Sequence, residues 1–258
     1  MNALPKHSSS WNKITPPLRP TEAVVWRMRD LSTDGPALLF GVTPEFCLAF
    51  DDITAVDNNA DMIARVWPGD TDNKRAILGE WASMDWPENR FATIVGDGAM
   101  TLLDSLSAIS SIQRRAFSWL QPGGTFVHRV FECPDEPITI EELADQLSKS
   151  AIMNWNAFKL RMMYYQAQND GGINSLSQVL DLFNSIAPDR DAVCDATGWN
   201  RDLVDTIDLY QGINTVACKP TRAQWMSTIP DGAVNLQFYH VDGYDLAGTC
   251  PIMVWEKP

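Results

Sequence analysis

Three short stretches carry residue types that can hold a small polar ligand. The first is FGVTPE, residues 40–45, where Gly41 ends an apolar run. Backbone N–H groups at such a turn, and at the start of the helix after it, can cradle a carboxylate or lie close to a nucleoside. The second is Asp57, which closes the run DITAVD; a carboxylate at a strand end can accept two hydrogen bonds from a ribose diol. The third pairs Gly79-Glu80-Trp81 with Gly96-Asp97-Gly98. Trp81 offers a ring to stack on a purine, Glu80 and Asp97 can accept from amino groups, and the glycines around Asp97 let a ligand approach the backbone. Each has a plainer alternative. Gly41 serves any tight strand–helix turn, Asp57 can cap a helix, and a tryptophan is more often core than cofactor contact. The buried run before Asp57 favours ribose binding there.

These residues gather at one edge only if the elements alternate. Strands are expected at 36–41, 52–57, 74–81, 88–98 and 125–132. Helices are expected at 21–31, 43–50, 58–69 and 101–120, with Thr43 capping the second and Pro44 at its first position. The alternation predicts a parallel sheet covered by helices on both faces, with ligands outside the carboxyl ends of the strands. Residues 138–210 read as consecutive helices with no convincing strand. Sheet-like sequence returns at 233–244 and 250–257, which predicts an antiparallel hairpin added to the sheet.

Taken in order, FGVTPE, VDNNADMI, LGEW, IVGDG, LQPGGTFVHRVF and the segment through CPIMVWEK resemble the class I S-adenosylmethionine-dependent methyltransferases. The resemblance covers about residues 36–132, and the closing hairpin fits it. LQPGG is its most specific part. It implies an α/β, Rossmann-like methyltransferase fold: a mostly parallel seven-stranded sheet with a closing antiparallel hairpin and a helical insertion before the last two strands. One domain is expected, with an N-terminal arm and helix (1–35), a cofactor-binding core (36–132), a helical insertion covering the substrate (133–215) and C-terminal strands (216–258). The implied cofactor is S-adenosylmethionine, bound by Gly41, Thr43, Asp57, Asn58, Met62, Glu80, Trp81, Asp97 and Gly98. The loop after the first strand departs from the family's acid-x-Gly-x-Gly-x-Gly: only Gly41 remains, with Thr43, Glu45 and an upstream Leu39 in the other places. Two alternatives follow. Glu45 or Asp97 replaces the missing carboxylate partner of the methionine amino group, or the cofactor binds weakly or not at all.

For the substrate, the Pro-stiffened arm WNKITPPLRP offers Trp11 and Arg19 as a lid, against a plain tail. RMMYYQ offers Tyr164 and Tyr165 to a pocket, against a core face. His128 is expected to be a packed histidine, Arg129 an ion-pair partner and Cys133 inert. No catalytic residue is assigned, because an activated sulfonium needs mainly alignment, and a base only where the acceptor must lose a proton.

The chain has 258 residues, 20 Lys and Arg against 33 Asp and Glu, and a net charge of −13. That balance disfavours nucleic acid and anionic membranes. GDGAM stands where an Asn-Pro-Pro-Tyr type motif would point to nucleobase or glutamine amide methylation. A small-molecule acceptor is the expected partner. Three histidines and five scattered cysteines without a CxxC pair predict neither a metal site nor a disulfide framework. With no apolar leader at the N-terminus, they point to a reducing cytoplasm. The oligomeric state is not legible. The rival readings are a non-catalytic binding protein of this fold and, behind it, an NAD(P)-dependent oxidoreductase.

Overall fold

The computed structural model describes residues 8–149, 152 and 154–258. Its centre is a seven-stranded sheet of β1 (Ala37–Phe40), β2 (Ile53–Asp57), β3 (Lys74–Leu78), β4 (Phe91–Asp97), β5 (Leu120–Arg129), β8 (Val234–Tyr239) and β9 (Ile252–Glu256), in the order β3-β2-β1-β4-β5-β9-β8. The first five strands are parallel, and β9 and β8 close the sheet antiparallel. β1 is buried throughout, while β2 and β4 are buried up to their last residues, Asp57 and Asp97. Strands covered on both faces read as continuous apolar runs, and each of these two ends in an acid where cover ends.

Alternate side chains feed two cores. Leu38, Phe40 and Ile94 pack with Ile109, Ile112 and Ala116 of α4 (Leu106–Trp119) and with Trp225 of α10 (Arg222–Ser227). Leu39, Ala55 and Val95 pack on the other face with Val24, Val25 and Met28 of α1 (Glu22–Asp30), and with α2 (Phe46–Ala49) and α3 (Ala60–Val66). A third core lies among α5 (Ile140–Lys149), α6 (Trp155–Asn169), α7 (Leu176–Ile186) and α8 (Arg190–Thr197), where Leu143, Phe158, Phe183 and Val193 meet Phe131 and Cys250 from the sheet side. The short α9 (Arg201–Val204) completes the helices.

LQPGG is not a turn ahead of a strand at 125–132: it opens β5, where the pairing with β4 shifts register between Phe91 and Thr93, and its last glycine has a local cause. A side chain on Gly124 would meet the carbonyl oxygens of Gln121 and Ala92 at 2.8 and 2.9 Å, so only glycine lets the chain pass beside β4.

Three expectations need correction. Residues 43–50 form a single helical turn that begins at Phe46, and Glu45 rather than Thr43 precedes it, without a side-chain cap. The expected helix at 101–120 starts at Leu106, capped by Ser105, because Ala99–Leu102 form a separate 3₁₀ turn. Finally, the helical stretch contains a strand: β6 (Ile173–Ser175) pairs antiparallel with β7 (Val216–Cys218). Three residues, two of them polar, are too short for an apolar period to register.

Candidate functional site

The strand order reverses between β1 and β4, and a crevice opens there past their carboxyl ends. It holds a cavity of about 290 Å³. Its floor is built by strand ends. Gly41 leaves β1 with φ +91°, a left-handed conformation that favours glycine. A side chain there would point at the Asp57 carboxylate, its first carbon 4.0 Å from Oδ2. Asp57 is not the helix cap. Asn59 caps α3 by accepting from the Asp61 and Met62 N–H groups, while Asp57 Oδ1 accepts from Asn59 N–H at 2.8 Å. Burial, with the nearby Glu80 charge, pushes the Asp57 carboxyl up to about 6, against the pull of the Asn59 N–H.

Trp81 donates its indole N–H to the Val56 carbonyl at 2.8 Å, and its ring centre lies 5.4 Å from that of Phe40. That bond fixes the ring beside Asp57, where it lines the cavity. Asn58 and Met62 line it from the start of α3, and Thr43 from the loop after β1. Glu80 does not. It accepts from Asn58 Nδ2 at 2.7 Å and so positions a lining residue from behind.

Asp97 and Gly98 also line the cavity, but Asp97 is spoken for. Its carboxylate takes a two-pronged ion pair from Arg129, Nη2 to Oδ2 at 2.9 Å and Nε to Oδ1, with both side chains buried. Glu45 is likewise paired, with Arg19, and lies outside the cavity lining. Both carboxylates expected to stand in for the missing acid therefore carry arginine partners.

The arm lies over this site. Arg129 donates to the Pro17 carbonyl at 2.7 Å, and Asn156 Nδ2 donates to Thr15 Oγ1 at 2.8 Å. Trp11, Ile14 and Leu18 then face the cavity, and the Trp11 indole N–H is buried without a partner among the described residues. Arg19 is not in the lining; its guanidinium sits 5.2 Å from the Trp11 ring and braces it.

Neither tyrosine reaches the cavity. Successive helix residues point about 100° apart, and on α6 it is Met163 that faces in. Tyr164 turns into the core and donates to the Thr249 carbonyl at 3.2 Å, while Tyr165 packs against the helical core. Sequence reasoning missed the wall formed by Phe131, Tyr210, Asn174 and Lys219. Asn174 and Lys219 lie on or beside the unforeseen short strands, so no periodicity marks them. His128 is a packed ring, stacked on Phe126 with centres 4.0 Å apart, and burial lowers its pKa to about 3. Burial pushes the Cys133 thiol up to about 11. Among the described residues no three His, Cys, Asp or Glu side chains gather as metal ligands would, and no helix is long and apolar enough to cross a membrane.

No family model and no curated protein matches the sequence. Solved structures do match in fold. A Rhodobacter sphaeroides protein provisionally assigned to the zinc-dependent alcohol dehydrogenases aligns with TM-score 0.61 and 8% identity, over 100% of this chain and 99% of that one. A Methanosarcina mazei S-adenosylmethionine-dependent methyltransferase aligns with TM-score 0.51 and 12% identity, over 90% and 96%. One from Mesorhizobium loti aligns with TM-score 0.50 and 11% identity, over 90% and 95%. The fold is that of the class I S-adenosylmethionine-dependent methyltransferases, with the closing antiparallel strands in place.

Proposed function

We propose that the chain is an S-adenosylmethionine-dependent methyltransferase whose acceptor is a small molecule, held between the strand ends and the helical layer. The observation that carries this reading is the Gly41–Asp57–Trp81 group. A glycine without a side chain, a carboxylate and a fixed aromatic ring share one cavity beside the strand-order reversal. These residues fit a nucleoside: Asp57 to accept from the ribose hydroxyls, Trp81 to lie along the base, and Asn58 and Met62 to border it. When bound, the cofactor supplies an activated methyl group. The chain's part is to orient both molecules and exclude water, and the arm carrying Trp11 and Leu18 closes the cavity to that end.

An NAD(P)-dependent oxidoreductase would use Gly41 and Asp57 in the same way. The antiparallel β9 set between β5 and β8 departs from the all-parallel dinucleotide-binding order, which weighs for the methyltransferase. A non-catalytic binding protein is the second reading. It is favoured by the arginine partners of Glu45 and Asp97, which leave neither carboxylate uncompensated for a methionine ammonium.

Calorimetric titration with S-adenosylmethionine, S-adenosylhomocysteine and NADH tests the proposal. Micromolar binding of the two sulfur nucleosides, lost in Asp57→Ala, is the expected result. Binding of NADH alone, or of none, overturns it. Binding of S-adenosylhomocysteine without methyl transfer to any acceptor would favour the second reading.

A further inference from the structure

The β6–β7 ribbon lines the cavity beside the turn that follows β4, where the Cys218 N–H donates to the Leu103 carbonyl at 2.7 Å, two places along the sheet from Asp57 at the end of β2. Residues opposite each other in an antiparallel pair point to one face, as do residues two apart. Asn174 stands opposite Ala217, and Lys219 follows Ala217 by two. The Lys219 N–H donates to the Gly172 carbonyl at 2.9 Å, so the pairing runs one step beyond the strand. Asn174, Ala217 and Lys219 therefore share a face, and all three line the cavity.

Both polar side chains are costly where they are. Asn174 is 1% exposed, and neither its amide nitrogen nor its amide oxygen has a hydrogen-bond partner among the described residues. Lys219 is 4% exposed, and among the described residues its Nζ makes long contacts alone, to the carbonyls of Thr101 at 3.3 Å and Cys218 at 3.5 Å. The titratable groups that act on it are the Cys218 and Cys133 thiols, and burial lowers its pKa to about 8. A buried cation and a buried amide that both border one cavity, without an acid between them, are completed by an anion. A carboxylate suits the pair: its two oxygens can accept from the ammonium and from the amide NH₂. Phe131, Met163 and Val216 give the lining around the pair a mainly apolar character, interrupted by the Thr215 and Tyr210 hydroxyls.

We propose that the Lys219–Asn174 face is the acceptor end of the cavity and selects a small molecule with a carboxylate on an otherwise apolar body. Its role as the acceptor end rests on the methyltransferase reading; the anion site rests on the ribbon alone.

The test is calorimetric titration with benzoate, cinnamate and indole-3-acetate, each beside its primary amide, with and without saturating S-adenosylhomocysteine. At least one acid is expected to bind tenfold or more tightly than its amide. Lys219→Met is expected to abolish that preference, Lys219→Arg to keep it, and Asn174→Leu to weaken acid binding. A single cooperative thermal unfolding transition, kept in every variant, shows that the folds are intact. Equal binding of acids and amides, no acid bound by a protein that binds S-adenosylhomocysteine, or a preference that survives in Lys219→Met would each overturn the proposal. If the acid preference depends on Lys219 but S-adenosylhomocysteine does not bind, the anion site stands and the methyltransferase reading falls.

Discussion

The two ends of the cavity are built on different principles. At one end Gly41, Asp57 and Trp81 sit at or just beyond the ends of β1, β2 and β3, so the sheet's own hydrogen bonding fixes their places. At the other end Asn174 and Lys219 are 45 residues apart and come to one face because a three-residue ribbon forms beside the helical layer. Backbone topology dictates the first end, and tertiary packing assembles the second. The first suits a ligand part shared by many proteins of one fold, and the second suits a part peculiar to one protein.

Changes that strike what the two ends share should do most. Arg129 holds Asp97 under the cavity and Pro17 of the arm above it. Arg129→Met leaves Asp97 buried and uncompensated, so unfolding free energy in denaturant should drop by about 3–5 kcal/mol. The arm should also become open to proteolysis; an unchanged denaturation midpoint would separate arm and sheet energetically. Asp57→Ala removes two charge-assisted hydrogen bonds to a nucleoside, each worth about 1.5–3 kcal/mol, and should weaken S-adenosylhomocysteine by more than about a hundredfold, out of calorimetric range for a micromolar ligand. It should leave the binding of an acid at the Lys219 end in place, and a parallel loss there would merge the two ends into one.

Acidification sharpens the contrast further. A ribose diol donates to an ionised carboxylate, and the Asp57 pKa stands raised to about 6. Lowering the pH from about 8 to about 5 leaves roughly a tenth of it ionised, so nucleoside affinity should fall about tenfold, with the loss centred near the raised pKa. Over that range Lys219, with its pKa lowered only to about 8, gains rather than loses charge. Acid binding should therefore hold or strengthen down to the pKa of the ligand's own carboxylate. The smallest effect belongs to the lid. Trp11→Ala removes apolar contact at the cavity mouth and should weaken S-adenosylhomocysteine about fivefold, or about 1 kcal/mol.

The same division explains what the sequence disclosed. Asp57, Asp97 and Gly41 were legible because a fully buried parallel strand is a continuous apolar run, and its end marks where side chains meet ligand or solvent. LQPGG was legible because backbone at Ala92 and Gln121 fills the space a side chain on Gly124 would need. Tyr164 and Tyr165 misled because a helix buried nearly all round gives no sign of which residue faces the cavity. Here Met163 does, and ten of the fifteen residues of α6 are buried. The pairings Arg129–Asp97 and Arg19–Glu45 join residues 32 and 26 positions apart, which no local pattern announces. Lys219 is invisible for the same reason.

A crystal structure of the protein grown with S-adenosylhomocysteine tests the central claim most directly. The expected result places the ribose hydroxyls within hydrogen-bond distance of the Asp57 carboxylate and the base along Trp81, with the Lys219–Asn174 face left for a second molecule. A nucleoside seated against Lys219 and Asn174, or a cavity that stays empty of it at saturating concentration, would contradict it.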